Sequence, residues 1–484
     1  MSKAIKIINN SFFVFAARIF ETISGIVVIG MLARYLGVSD FGEYSLVMAL
    51  VWIAQPIISM AVPRILVVEL SRDVSKAASY IGTGITWNIL VFAVLALTLW
   101  LADALLGDMP FYYFTGLFIA FFLMLRQTVG SVFIAYERMK YDTYTSLTAI
   151  FFLILLTGGV IFLDLGLEKV FLAVALAQLC GFVASVLFNR KVAGFIPVPA
   201  MDYKILKRLL AGSLALSLIQ VMVQLLLYCG VFFLKNMSGN IEVALFQAPM
   251  RIFTRFMIIP LSLMVALQPV FSRLAAAPEK KSELVGTTKT VLKNLMIVSM
   301  LLTLIAFTTA TEVISLIFGN AFTDSVAGFK IIVLGTIFFF INLFYVMLCI
   351  ACDRIKSFAI IKMVELAICV LLNLVLVPDH GYIGSMWALV LSSCIMSFGG
   401  YIFFRDLFQK ESLKDMFLII VTGFGIVAVL NCAPSMNFII SLTVGVFCFV
   451  SAMIMSKMFA WNDLRPVMSI IGRKTPQGES EVKE

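Results

Sequence analysis

Residues 243–271 read VALFQAPMRIFTRFMIIPLSLMVALQPVF, and this stretch is typical of a helix that crosses a membrane. At 1.5 Å per residue, a helix of about 20 residues spans a hydrocarbon core of about 30 Å. Two arginines, Arg251 and Arg255, lie inside the stretch. Because a charge at the bilayer centre costs about 2.5–3.5 kcal/mol, we expect both guanidinium groups to face a polar interior rather than lipid.

The whole chain has the same apolar character. Of its 484 residues, 62% are hydrophobic and 13% are charged, and the mean hydropathy is +1.06. A soluble domain needs a more polar surface than this composition provides. We therefore predict an all-α polytopic membrane protein with about 14 transmembrane helices: 11–33, 42–63, 80–102, 111–135, 143–163, 170–188, 210–234, 243–271, 292–318, 330–351, 358–378, 383–404, 416–432 and 438–457.

The distribution of basic residues predicts the topology. With a cytoplasmic N-terminus, the inner segments hold 27 of the 36 Lys and Arg residues and the outer segments hold four. Such an excess on one side is what the positive-inside rule describes. It predicts that both termini are cytoplasmic, and it explains the formal charge of +9 without nucleic acid as a partner.

Basic inner connections also suggest the domain organisation. The connection 189–209 follows six spans and carries two prolines before a basic cluster. Transporters are commonly built from two such halves. We predict six-helix lobes at 1–200 and 201–410, followed by two extra transmembrane helices and a short cytoplasmic tail at 411–484.

Charged residues inside the predicted spans mark the candidate site. Five are cations, which indicates an interior suited to an anion. Helical spacing places the pairs 18/21, 251/255 and 362/365 each on one face of a helix. Ion pairs inside the protein remain an alternative for all three pairs, although span 243–271 holds no acid that could neutralise Arg251 and Arg255. Lys362 could also extend toward the inner membrane surface. The seven residues are Arg18, Glu21, Arg126, Arg251, Arg255, Lys362 and Glu365.

The sequence carries no recognisable motif for several enzyme and cofactor chemistries. There is no G-x-x-x-x-G-K-[ST] phosphate loop, so ATP hydrolysis by this chain is not expected. The single histidine, His380, lies in a short predicted outer loop, and Cys349-Ile-Ala-Cys352 has no second pair. The outer loops are too short to hold a glycosyltransferase, polymerase or ligase site. We expect no catalytic residues, no metal site and no cofactor.

Three stretches resemble a known family. Residues 32–50, LARYLGVSDFGEYSLVMAL, are similar to the first outer hairpin of the polysaccharide transporter family, the Wzx-like O-antigen and oligosaccharide flippases of the multidrug/oligosaccharidyl-lipid/polysaccharide (MOP) exporter superfamily. Residues 244–274 and the region 313–404, with SLIFGNAF and LLNLVLVPDHGYIGSMWALVLS, resemble the same family. Ser385 and Met386 depart from it, since small residues usually stand at both positions. The resemblance covers most of residues 5–405.

The resemblance implies a fold, a substrate and a location. The fold would be two six-helix lobes in a V around a central cavity, with two peripheral helices. The substrate would be undecaprenyl-diphosphate-linked oligosaccharide repeat units, moved from the inner to the outer leaflet of the bacterial cytoplasmic (inner) membrane. Such units serve surface polysaccharides such as the O-antigen of lipopolysaccharide, or exopolysaccharide.

Roles for the charged residues follow from the same resemblance and from their chemistry. Cavity-lining basic residues are a feature of these flippases, and the candidates for substrate binding here are Arg18, Arg126, Arg251, Arg255 and Lys362. Glu21 and Glu365 are candidates for coupling to an ion gradient, because membrane carboxylates can titrate when desolvated. Expected partners are the lipid-linked oligosaccharide, membrane lipid and other polysaccharide-assembly membrane proteins. The alternatives are a lipid II flippase, a multidrug/cation antiporter, or a polytopic glycan polymerase or ligase.

Overall fold

The computed structural model describes residues 3–107, 109–408, 410–431 and 438–456, and nearly all of them are helical. The first eight α-helices are α1 Lys3–Ser59, α2 Val62–Arg72, α3 Ala77–Leu106, α4 Tyr112–Ala135, α5 Met139–Phe162, α6 Leu167–Ala193, α7 Tyr203–Met237 and α8 Asn240–Phe256. The next eight are α9 Ile258–Ala275, α10 Lys281–Thr308, α11 Ala310–Phe318, α12 Ser325–Leu334, α13 Thr336–Ala351, α14 Ile355–Phe403, α15 Lys410–Asn431 and α16 Phe438–Met455.

The helices confirm the predicted all-α membrane protein. Within the described residues, 11 helical segments are long and apolar enough to cross a membrane, or 12 if α12 and α13, bent by 47°, form one span. Helices suit this composition because the hydrocarbon core offers no water to backbone N–H and C=O groups, and a helix satisfies them internally.

Two helices are too long to be single spans. Helix α1 has 57 residues and α14 has 49, and each contains one glycine with non-helical geometry. Gly37 has φ 70° and Gly381 has φ 51°, a region that glycine adopts readily and other residues rarely do. Both glycines fall at predicted outer turns. If the chain reverses at both, the same helices supply fourteen crossings, so the number fourteen stays a prediction.

Predicted span 243–271 corresponds to one apolar segment, Asn240–Ala275, whose helix has a one-residue break. Helix α8 ends at Phe256 and α9 begins at Ile258. Pro260 stands in the first turn of α9, where a missing N–H is tolerated because that group has no partner within the helix. The break therefore ends α8 one residue after Arg255.

The chain divides into two compact units, and the contacts given below are those of the described residues of each unit. The first unit comprises Met1–Arg255, Thr311–Ile332 and Ile355–Ser392, and the second comprises Phe256–Ala310, Val333–Arg354 and Ser393–Glu484. In the first unit α4 and α5 pack on α6, and α1 packs on α4, α5 and α7; in the second, α10 packs on α9, α13, α15 and α16. The predicted lobes at 1–200 and 201–410, and their arrangement in a V, stay predictions.

A buried polar cluster joins four helices of the first unit at their predicted outer ends. Glu43 of α1 is 8% exposed and accepts hydrogen bonds from Lys235 Nζ at 2.6 Å and from the Tyr113 hydroxyl at 2.9 Å. Lys235 Nζ also donates to Asn240 Oδ1 at 2.5 Å. Beside the cluster, a Cβ on Gly42 would lie 1.9 Å from the Asn240 carbonyl oxygen, so only glycine fits this close approach.

Candidate functional site

A cavity of about 330 Å³ lies inside the first unit, between α1, α4, α5, α6, α8 and α11. Among the described side chains, four charged residues line it: Glu21, Arg126, Arg251 and Arg255. Four of the seven residues selected from the sequence therefore share one cavity. Its lining carries three guanidinium groups and one carboxylate.

Helix α8 supplies two of the arginines, and its packing explains why they face the cavity. The residues from Val243 to Met250 are buried, as are Ile252 and Phe253, while the four-residue spacing of Arg251 and Arg255 puts both on the remaining face. On α1, a Cβ at Gly25 would lie 3.1 Å from Arg255 Nη2. The glycine thus leaves room for this guanidinium at the surface of α1.

Arg251 is poorly satisfied within the first unit. Its Nε and Nη2 atoms are buried and have no hydrogen-bond partner among the described residues. A buried donor without a partner costs about 1–3 kcal/mol, and more when it is charged. Donors left open in this way are available to the acceptor oxygens of an anionic ligand.

Arg126 approaches the cavity from α4. Its Nη1 donates to Ser146 Oγ of α5 at 2.9 Å, while its Nε is buried without a partner among the described residues. A Cβ on Gly181 of α6 would lie 3.2 Å from Arg126 Cδ and 2.8 Å from Ala149 Cβ. A small residue on α6 therefore makes space for the arginine side chain.

Glu21 is the acid among the described residues that line the cavity. Its charge acts on both Arg126 and Arg255. It lines the same cavity, so it offsets part of the positive charge without cancelling it. The side chain of Arg18, three residues earlier on α1, lies outside the described residues, and its role stays a prediction.

Lys362 and Glu365 do not line this cavity. Lys362 Nζ lies 2.6 Å from Glu365 Oε2, and their side chains are 8% and 1% exposed. The Lys362 ammonium also lies 5.5 Å from the Phe358 ring centroid. The structure thus shows the ion pair that the sequence left open as an alternative. Substrate binding by Lys362 and ion coupling by Glu365 stay predictions.

Uncharged polar residues complete the lining, and charge-based reasoning did not select them. Trp52 of α1, Ser146 of α5 and Gln178 of α6 all face the cavity. Trp52 Nε1 and Gln178 Oε1 are buried without a hydrogen-bond partner among the described residues. A glutamine within an apolar span is the one sequence signal that singles out Gln178.

Solved structures with a similar fold are membrane transporters. One is described as the lipid II flippase MurJ in an inward closed conformation, with a TM-score of 0.72, 14% identity, and coverage of 94% of this chain and 100% of that chain. Another is an inward-facing multidrug resistance MATE family transporter of the MOP superfamily, with a TM-score of 0.67, 14% identity, and coverage of 80% and 94%. A third is the Vibrio cholerae MATE transporter VcmN in its bent form, with a TM-score of 0.54, 15% identity, and coverage of 83% and 95%. At these identities the likeness shows the fold.

Sequence comparison supplies the family. A search of curated proteins gives no significant match. The family model described as polysaccharide biosynthesis protein matches residues 7–275, which run from the first turns of α1 to the end of α9 and include all four charged cavity residues. Since this match covers more than half of the chain, the chain belongs to the polysaccharide biosynthesis protein family.

Proposed function

We propose that this protein is a flippase for undecaprenyl-diphosphate-linked oligosaccharide repeat units. It moves them from the inner to the outer leaflet of the bacterial cytoplasmic membrane, with both termini in the cytoplasm. The observation that carries the proposal is a cavity lined by three arginines, in a chain of the polysaccharide biosynthesis family with a transporter fold.

The chemistry of the cavity matches this substrate class. A diphosphate in hydrocarbon carries the same penalty as any other charge there, so its passage needs fixed cations inside the protein. Guanidinium groups bind phosphate oxygens through parallel N–H donors and stay charged throughout. The open donors of Arg251 and Arg126 supply such contacts, while the polyprenyl tail stays in the surrounding lipid.

Coupling to an ion gradient is assigned to Glu21. This carboxylate lines the same cavity as the arginines, so substrate entry changes the charge that it experiences. A transport rate that does not change when the gradient is dissipated would remove this part of the proposal.

The competing functions make different demands on the cavity. A multidrug/cation antiporter needs an acidic cavity, whereas this lining has three cations and one acid. A lipid II flippase carries the same diphosphate linkage, so the glycan attached to the lipid must distinguish it. A glycan polymerase or ligase would extend or transfer glycan in detergent, without a membrane. Docking of other polysaccharide-assembly membrane proteins remains part of the proposal.

The test is the sidedness of lipid-linked glycan in cells that lack this gene. Undecaprenyl-linked repeat units should accumulate on the inner leaflet, while the sidedness of lipid II stays normal. Wild type should restore export, and so should Arg72→Gln, which removes an arginine that is 67% exposed. The double variant Arg251→Gln/Arg255→Gln should fail. Normal sidedness of repeat units without the gene, in a strain with no second flippase, would reject the function.

A further inference from the structure

The cavity has two levels along the helices. Glu43 contacts Tyr113 directly and Asn240 through Lys235, so these residues mark a common depth on α1, α4 and α8. At 1.5 Å per residue, Trp52 lies about 14 Å and Arg251 about 16 Å inward of that depth, while Arg126 and Arg255 lie about 20 and 22 Å inward. The last two therefore stand about one helical turn deeper than the first two.

Gln178 belongs to the shallower level. Gly181 of α6 lies next to Arg126, since a Cβ placed on this glycine would be only 3.2 Å from Arg126 Cδ. Gln178 precedes Gly181 by three residues, which places it about 4.5 Å toward the predicted outer side. Trp52 and Gln178 thus face one part of the cavity, next to Arg251 and above the deeper arginines.

Besides the open nitrogens of Arg251, the shallower level has one open donor and one open acceptor among the described residues. Trp52 offers an indole N–H and Gln178 offers an amide oxygen, both buried and both without a partner among the described residues. A sugar hydroxyl donates and accepts at once, so a ring with several hydroxyls can satisfy both atoms. The indole face adds an apolar, rigid surface for the C–H face of the ring.

We propose that Trp52 and Gln178 form a subsite for the sugar attached directly to the diphosphate, while Arg126 and Arg255 hold the diphosphate itself. The assignment rests on the proposed function. One helical turn, about 5.4 Å, separates the two levels, and this spacing is comparable with the width of a pyranose ring. In this assignment the guanidinium of Arg251, whose Nε and Nη2 have no partner among the described residues, binds the phosphate nearer the sugar.

The test compares two ligands on purified protein in lipid nanodiscs. One is undecaprenyl diphosphate without sugar, and the other is the lipid-linked repeat unit extracted from cells lacking the gene. Trp52→Phe keeps a ring and removes the donor; Gln178→Leu keeps the size and removes the acceptor. Each should weaken binding of the sugar-bearing lipid about tenfold, which corresponds to about 1.4 kcal/mol, and leave binding of undecaprenyl diphosphate within about twofold.

Two matched controls test whether loss of any buried polar group is by itself enough to weaken binding of the sugar-bearing lipid. Trp87→Phe alters a tryptophan whose Nε1 is also buried without a described partner, but which packs on an apolar core cluster. Gln247→Leu alters a fully buried glutamine of α8 whose side-chain amide also has no hydrogen-bond partner among the described residues. Neither residue lines the cavity, and both variants should bind the two lipids as wild type does.

The outcomes separate the subsite from the function. If wild type binds neither lipid, the proposed function fails and the subsite with it. If wild type binds both lipids with equal affinity, the function stands and the sugar subsite is overturned. Equal losses for both lipids in Trp52→Phe and Gln178→Leu, no loss at all, or the same loss in the controls would also overturn it.

Discussion

Replacing Arg251 with methionine is expected to stabilise the ligand-free protein. The arginine keeps two buried nitrogens without a hydrogen-bond partner among the described residues, and each such donor costs about 1–3 kcal/mol. Methionine is a flexible, apolar side chain that fills irregular spaces. After subtraction of the packing contacts that the aliphatic part of the arginine side chain loses, we expect the free energy of unfolding to rise by about 1–3 kcal/mol.

The assay is thermal unfolding of purified protein in detergent without substrate lipid. For a chain of this size, the gain corresponds to a rise in Tm of roughly 1–3 °C. Arg354→Met is the matched control, because Arg354 is fully paired: its Nη1 and Nη2 donate to Asp406 Oδ1 and Oδ2 at 3.1 and 2.8 Å. Loss of this half-exposed pair should lower stability by up to about 1 kcal/mol.

The same variant is expected to lose ligand binding. Undecaprenyl diphosphate should raise the Tm of wild type and leave that of Arg251→Met unchanged, because a strained binding group trades stability for function. If Arg251→Met melts below wild type, as Arg354→Met should, then Arg251 is satisfied in the ligand-free protein. The reasoning from open donors would then be wrong.

Three further predictions concern packing and pH. Gly42→Ala should destabilise the protein by about 2 kcal/mol or more in thermal unfolding, because the new Cβ would meet the Asn240 carbonyl at 1.9 Å. Gly158→Ala, with nothing within 4 Å of its Cβ, should be neutral or slightly stabilising, and an equal loss in both would contradict the argument. Asp406→Asn should lower stability at pH 7 by up to about 1 kcal/mol and have no effect at strongly acidic pH: the hydrogen bond from Arg354 lowers the pKa of Asp406, so the stability is present above the unfolded-state pKa and lost as pH falls through the folded-state pKa. A difference that persists unchanged in acid would exclude this linkage. Gly181→Val should impair transport more than folding, because the larger side chain displaces Arg126 and Ala149; wild-type transport rates would show that this close approach is unimportant.

Hydropathy was sufficient to predict the helices, because the length and polarity of a membrane span are set by the bilayer rather than by tertiary contacts. Apolar length alone does not show that α8 ends at Phe256 within one predicted span. Nor does it show whether the long helices broken at Gly37 and Gly381 reverse direction there.

Charge was a partial guide to the site. It found Glu21, Arg126, Arg251 and Arg255, because a charge inside a span has to face a polar interior. Charge could not distinguish these four cavity residues from Lys362 and Glu365, since a buried ion pair also keeps charged groups away from lipid. Trp52 and Gln178 were not selected because an uncharged polar side chain in a span can meet its hydrogen-bonding needs in a packed core as well as in a cavity, and only tertiary packing shows which.

The most direct test of the central claim is transport by purified protein in sealed liposomes loaded with lipid-linked repeat units. An enzyme or lectin outside the vesicles should gain access to inner-leaflet glycan at a rate that depends on wild-type protein. The Arg251→Gln/Arg255→Gln variant should move glycan no faster than protein-free vesicles. Transport by this variant at the wild-type rate would contradict the arginine site, and no transport by folded wild type, with its required ion gradient supplied, would contradict the flippase itself.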